Sequence, residues 1–136
     1  MHEKTIGTAL PSVAALSYLG DARHSLYVRE MLVARGISKS GELNKQSLEY
    51  VTAEAQAEMY RKIEPYLEDD ERDVFRRASN STHLNRPKHA SITDYRYATG
   101  FEAVVGMLHY IGDESRLKEL LDIAHSERID ENDTED

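Results

Sequence analysis

Apolar residues recur at three- and four-residue intervals along most of the chain, and no stretch alternates convincingly with a period of two. From Ser12 to Ala34 the positions Ala15, Leu19, Ala22, Leu26 and Val33 follow helical spacing. Pro11 suits the first turn of this helix and Gly36 stops it. A connector at 37–41 leads to a weaker helix at 42–51, with Leu43, Leu48 and Val51 as its apolar side. Thr52 can cap a helix at 53–63, rich in Ala, Glu, Gln and Met, which Pro65 ends or restarts. Glu68, Asp69, Asp70 and Glu71 form the acidic first turn of a helix reaching about Ser79. Asn80 to Ser91 is the one polar stretch long enough to be a functional loop. Ser91 and Asp94 have the spacing of a capping box for a helix to Tyr110, which Gly112 breaks. Asp113 caps a last helix whose face is Leu117, Leu120, Leu121 and Ala124. The pattern predicts an all-α fold without internal repeats: one domain over 1–126, then an acidic tail over 127–136 that is expected to be disordered.

Two residues break the pattern. Asp21 lies in the first helix among small and apolar neighbours, with Ser17 and Ser25 four residues to either side and Ala14 and Val28 seven away. An acid on such a stripe is paired, protonated or bound to a cation, because burying a bare carboxylate is costly. Gly20 beside it marks either a close approach by another backbone or a slight break in the helix. Glu102 repeats the anomaly on the fifth helix, flanked by Ala98, Thr99, Val105 and Gly106, with His109 further along. If the two helices cross at these acids, the carboxylates repel unless a divalent cation or a shared proton reconciles them. Hard oxygen ligands in a chain without cysteine favour Mg2+, with Mn2+ as a substitute, over Zn2+. The simpler alternative is that each acid pairs with Arg23, Arg29 or Arg96 and ties helices together. His24 and His109 read more readily as helix-face residues than as ligands.

Composition changes this picture in one respect. The 136 residues suffice for one core, and no apolar run approaches the roughly 20 residues of a membrane span. With no cysteine there is no disulfide framework or thiolate site, and the expected setting is the cytoplasm. The net charge of −8 argues against a nucleic-acid partner until its distribution is considered. Residues 127–136 hold six acids and one Arg, whereas 72–96 hold six Arg or Lys against two acids. That basic segment contains Arg76, Arg77, Arg86, Lys88 and Arg96 together with the polar Asn80.

These residues resemble a known family. Leu19-Gly-Asp21, followed about eighty residues later by Phe101-Glu-Ala-Val-Val-Gly106, is similar to the catalytic domain of ribonuclease III. Tyr27-Val-Arg29, Lys45-Gln-Ser47, Ala55-Gln-Ala57, Asn80, Pro87-Lys88 and Tyr95-Arg-Tyr97 bring it closer to the short Mini-ribonuclease III branch, which lacks a double-stranded-RNA-binding domain. The resemblance implies a ribonuclease III-like helical bundle and a Mg2+-dependent endoribonuclease acting on double-stranded RNA, with 5′-phosphate and 3′-hydroxyl products. It further implies a homodimer, a role in maturing the 23S ribosomal RNA precursor, and Asp21 and Glu102 as the catalytic metal ligands. RNA contact falls to Arg76, Arg77, Asn80, Arg86 and Lys88, while Arg96 either reaches phosphate or holds an acid in the site. The wider family has further acids where this chain has Ala14, Ser17 and Thr99, as in the short branch. The rival expectation is an inactive helical module binding structured RNA or a protein.

Overall fold

The computed structural model describes residues 9–81 and 91–126, and these form six α-helices. They are α1 (Val13–Ala34), α2 (Ser40–Val51), α3 (Ala53–Ile63), α4 (Asp69–Asn80), α5 (Ile92–Ile111) and α6 (Glu114–Ala124), with a 3₁₀ turn at Glu64–Tyr66 around Pro65. No strand occurs among the described residues, so the all-α expectation holds. None of the helices is long and apolar enough to cross a membrane. The acidic tail and most of the polar loop, with Arg86 and Lys88, lie outside the described residues.

The helix at the centre is α5. Ala98, Gly100, Phe101 and every residue from Ala103 to Leu108 are buried, so apolar residues circle it almost completely. A helix apolar all round needs partners on every side. It finds them in α1, α3 and α4, with α6 closing one end. Ser91 caps its start by accepting from the Asp94 amide at 3.0 Å, and Gly112 ends it at φ 78°, the left-handed conformation that glycine takes without a Cβ penalty. Only half of the expected capping box forms there, because the shorter Asp94 side chain turns to Arg61. The reciprocal box is at α4, where Glu68 and Glu71 cap each other's backbone. Glu71 is fully buried, and Arg116 of α6 holds it with hydrogen bonds of 2.8 and 2.9 Å.

The structure corrects the reading of α1. The face turned into the core is Leu16, Gly20, His24, Val28 and Leu32, while Ala15, Ala22, Leu26 and Val33 of the expected stripe are exposed. Both faces of α1 carry small and apolar residues, so periodicity could not choose between them. The choice falls to shape, because α5 approaches most closely where α1 has no side chain. Two smaller corrections follow from end effects: α2 starts at Ser40 rather than at 42, and Pro11 precedes the Ser12 cap rather than lying in the first turn.

Candidate functional site

The crossing of α1 and α5 is built from two glycines. A Cβ on Gly20 would collide with the backbone carbonyl of Glu102, and one on Gly106 with that of Leu16. The two backbones are therefore in direct contact, the arrangement that small residues at a helix interface permit. Ser17 fastens the crossing one turn earlier by donating its hydroxyl to the Thr99 carbonyl at 2.9 Å. Of the two expectations for Gly20, close approach is correct; α1 runs through it unbroken.

Because Gly20 touches Glu102, the next residue, Asp21, is carried to the Glu102 carboxyl, and the two side chains are hydrogen-bonded. Asp21 itself lies on the exposed side of α1, which corrects the expectation of an acid buried on an apolar stripe. Desolvation falls on Glu102 instead. Burial first, then the hydrogen bond and negative charge of Asp21, push its carboxyl up from 4.5 to about 9. At neutral pH without a cation, Glu102 thus keeps its proton. The arginine alternative is not realised: Arg23 pairs with Glu114 at 3.3 Å, and neither acid has an arginine ion pair among the described residues.

Beneath Glu102 lies a string of polar groups that the sequence reading did not assign to the site. Gln56 of α3 places its side-chain nitrogen 3.4 Å from Glu102 Oε2 and 3.2 Å from His24 Nδ1. His24 Nε2 is 2.8 Å from Nε2 of His125, just beyond α6. The signal for Gln56 was present: it interrupts the apolar face formed with Met59, Tyr60 and Ile63 at helical spacing. Burial, then the charge of His125, drive His24 down to about 3, and burial with Lys62 and Arg35 drives His125 down to about 4. A pKa lowered in the folded state means stability present above about 6.5 that is lost as pH falls towards 3. We expect nitrogen-detected NMR to find the His24 ring neutral from pH 8 down to 5; a midpoint near 6.5 would contradict its burial.

The proposed RNA contacts are less gathered. Arg76 and Arg77 stand exposed on the last turns of α4, both bonded to Asp73 at 2.6 and 3.0 Å, and Asn80 is exposed at the helix end. Exposed pairs of this kind contribute only about 0–1 kcal/mol, so phosphate can displace Asp73. Arg96 is half-buried near the start of α5, with no ion pair to either site carboxylate among the described residues. A different acidic trio, Glu68, Asp70 and Glu71, converges at the start of α4, where it serves capping and Arg116.

Comparison with known proteins agrees with this architecture. The family described as the ribonuclease III domain matches residues 14–113, a span that contains both carboxylates. Mini-ribonuclease 3 of Thermoanaerobacter sp. (strain X514) is 40% identical over 113 residues, covering 83% of this chain and 80% of the relative. Mini-ribonuclease 3 of Symbiobacterium thermophilum is 42% identical over 109 residues, covering 80% and 84%. The crystal structure of a protein from Fusobacterium nucleatum superposes with a TM-score of 0.77 at 28% identity, over 85% of this chain and 94% of that one. By the family match over 14–113 and these relatives, the chain belongs to the ribonuclease III domain family, in its short Mini-ribonuclease 3 branch.

Proposed function

We propose that the protein is a Mg2+-dependent endoribonuclease that hydrolyses phosphodiester bonds in double-stranded RNA through Asp21 and Glu102. The observation that carries this is the carboxylate pair itself. Two acids brought together by a glycine crossing, one desolvated and raised to about 9, are both ionised at neutral pH only when a cation offsets their repulsion. Their oxygen-only donor set suits a hard divalent ion, Mg2+ or Mn2+, which keeps several waters and completes its shell with substrate phosphate. When bound, such an ion supplies Lewis-acid stabilisation of the phosphate charge and a bound water of lowered pKa. The chain's part is to hold the two carboxylates at fixed separation, release the Glu102 proton as the ion binds, and leave Asp21 open to substrate on the exposed side of α1.

Duplex RNA is read by shape and backbone, which suits Arg76, Arg77 and Asn80 shortly before Arg86 and Lys88 in the sequence, with Arg96 as a further phosphate contact. Replacing Arg76 and Arg77 by Ala is expected to reduce the salt dependence of duplex binding by about one phosphate contact each. An unchanged salt slope would remove α4 from the interface. Cutting both strands calls for two symmetric sites. α1 has the means to pair, since Tyr18 is 84% exposed one turn before Asp21, with Ala15, Ala22 and Leu26 exposed on the same helix. We expect Tyr18→Asp to shift the protein from dimer to monomer in sedimentation; an unchanged distribution would place the interface elsewhere.

We place residues 1–126 as one catalytic domain, acting in the cytoplasm on the 23S ribosomal RNA precursor and leaving 5′-phosphate and 3′-hydroxyl ends. The test is cleavage of end-labelled duplex RNA with and without Mg2+, with single-stranded RNA as control. Cation-dependent duplex products bearing 5′-phosphate are expected. No cleavage at any Mg2+ or Mn2+ concentration would instead support the inactive RNA-binding module. The substrate is tested by mapping 23S precursor ends in a strain lacking the gene, where unchanged ends would exclude it.

A further inference from the structure

Four polar or charged residues are buried among the described residues: His24, Gln56, Glu71 and Ser79. Glu71 is held by Arg116, and Ser79 donates to the carbonyl of Arg76. The other two, at 0% and 2% exposure, touch each other, and Gln56 also touches the carboxylate pair. A leucine or methionine would fill the same volume with less desolvation, so their presence calls for another reason.

With the Gln56 amide nitrogen turned towards Glu102 and His24, the hydrogen-bond directions along the string follow in order. The Gln56 nitrogen is a donor only, and it lies within reach of both Glu102 Oε2 and His24 Nδ1. His24 Nδ1 must therefore accept, which puts the ring proton on Nε2. That proton is donated to His125 Nε2 at 2.8 Å, so His125 carries its own proton on Nδ1. Phe101, the neighbour of Glu102, meets the His24 ring edge-on at 5.1 Å, and Tyr27 and Tyr50 pack against His125. Each ring is thus fixed in place. Each partner positions the next, and the string ends on the more buried of the two site carboxylates.

We propose that Gln56 and His24 are positioning residues for Glu102: the Gln56 amide, locked by the His24 imidazole that His125 locks in turn, holds Glu102 Oε2 in the orientation that receives a divalent cation beside Asp21. This rests on the carboxylate pair being the cation site. Groups that orient a ligand from behind in this way commonly alter metal affinity by about 10–100-fold when removed.

The test is Mn2+ binding to the RNA-free full chain, followed by electron paramagnetic resonance, for wild type, Asp21→Asn, Glu102→Gln, Gln56→Leu, His24→Leu and His24→Asn. Melting temperatures without cation report folding. Gln56→Leu is expected to weaken Mn2+ binding by about tenfold, and His24→Leu to weaken it in the same direction. His24→Asn keeps an acceptor near the Nδ1 position and is expected to recover most of that loss. Wild-type affinity in folded Gln56→Leu and His24→Leu, with binding lost in Asp21→Asn and Glu102→Gln, overturns the positioning role alone. Wild-type affinity in Asp21→Asn and Glu102→Gln overturns the carboxylate site itself and the positioning role with it. A second measurement needs no variant: nitrogen–proton correlation spectra of wild-type imidazoles are expected to show His24 with its proton on Nε2. An Nδ1-protonated His24 overturns the proposal.

Discussion

Glu102→Gln is expected to make the cation-free protein more stable at pH 8 while lowering duplex cleavage by roughly 10³-fold or more, the scale of losing several kcal/mol of charge stabilisation. The two effects have one origin. In the folded wild type Glu102 is raised from 4.5 to about 9, so between those values the native state keeps a proton that the unfolded chain releases. Its contribution to stability is therefore complete below about pH 4.5 and is lost as pH rises through about 9. A glutamine has no proton to lose, and its amide donates to Asp21 at every pH. Melting temperatures in EDTA from pH 5 to 9 should diverge, with the wild type falling relative to the variant. The same argument makes Mg2+ binding to wild type at pH 7 release about one proton, measurable by calorimetry in buffers of different ionisation enthalpy. Parallel melting curves, or near-wild-type cleavage by the variant, would show that Glu102 is not the strained acid of a cation site.

Gly20→Ala has the second large effect, and it acts through geometry alone. The added methyl would occupy the position of the Glu102 carbonyl, and backbone cannot move aside as a side-chain end can. The α1–α5 crossing must open, which costs about 3 kcal/mol at the upper end of overpacking effects and lowers Tm by on the order of 10 °C. Asp21 and Glu102 separate with it, so divalent-cation affinity should fall even where the variant remains folded. Gly36→Ala is the wrong control, because Gly36 sits at φ 89°. Gly41→Ala is the right one, since nothing lies within reach of a Cβ there. Equal Tm values for Gly20→Ala and Gly41→Ala would mean that the helices do not meet at this glycine.

Asp21 and Glu102 were legible because each is an acid set among small and apolar neighbours on its helix, and an acid in such a setting needs a chemical reason. Leu19-Gly-Asp21 and Phe101-Glu-Ala103 then tied both to one family. Gln56 was less legible. Its interruption of the α3 apolar face was visible, yet a single glutamine on a helix face is equally consistent with a solvated edge. His24 looked like an ordinary helix-face residue, because its partner His125 lies 101 positions away.

The sequence by itself determined the helical class, the number and limits of the helices to within a few residues, and the two acids around which the function is argued. These are local properties: periodicity of 3.6, capping residues, and charge out of place. The tertiary structure alone decided which face of α1 is buried, that Gly20 touches Glu102, that Asp21 stays open while Glu102 is desolvated, and that a buried string of Gln56, His24 and His125 stands behind it. The physical reason is that α1 is apolar on both sides, so helix propensity and hydrophobicity leave its orientation degenerate. Only the shape complementarity of Gly20 and Gly106, a contact between residues 86 positions apart in the chain, breaks that degeneracy.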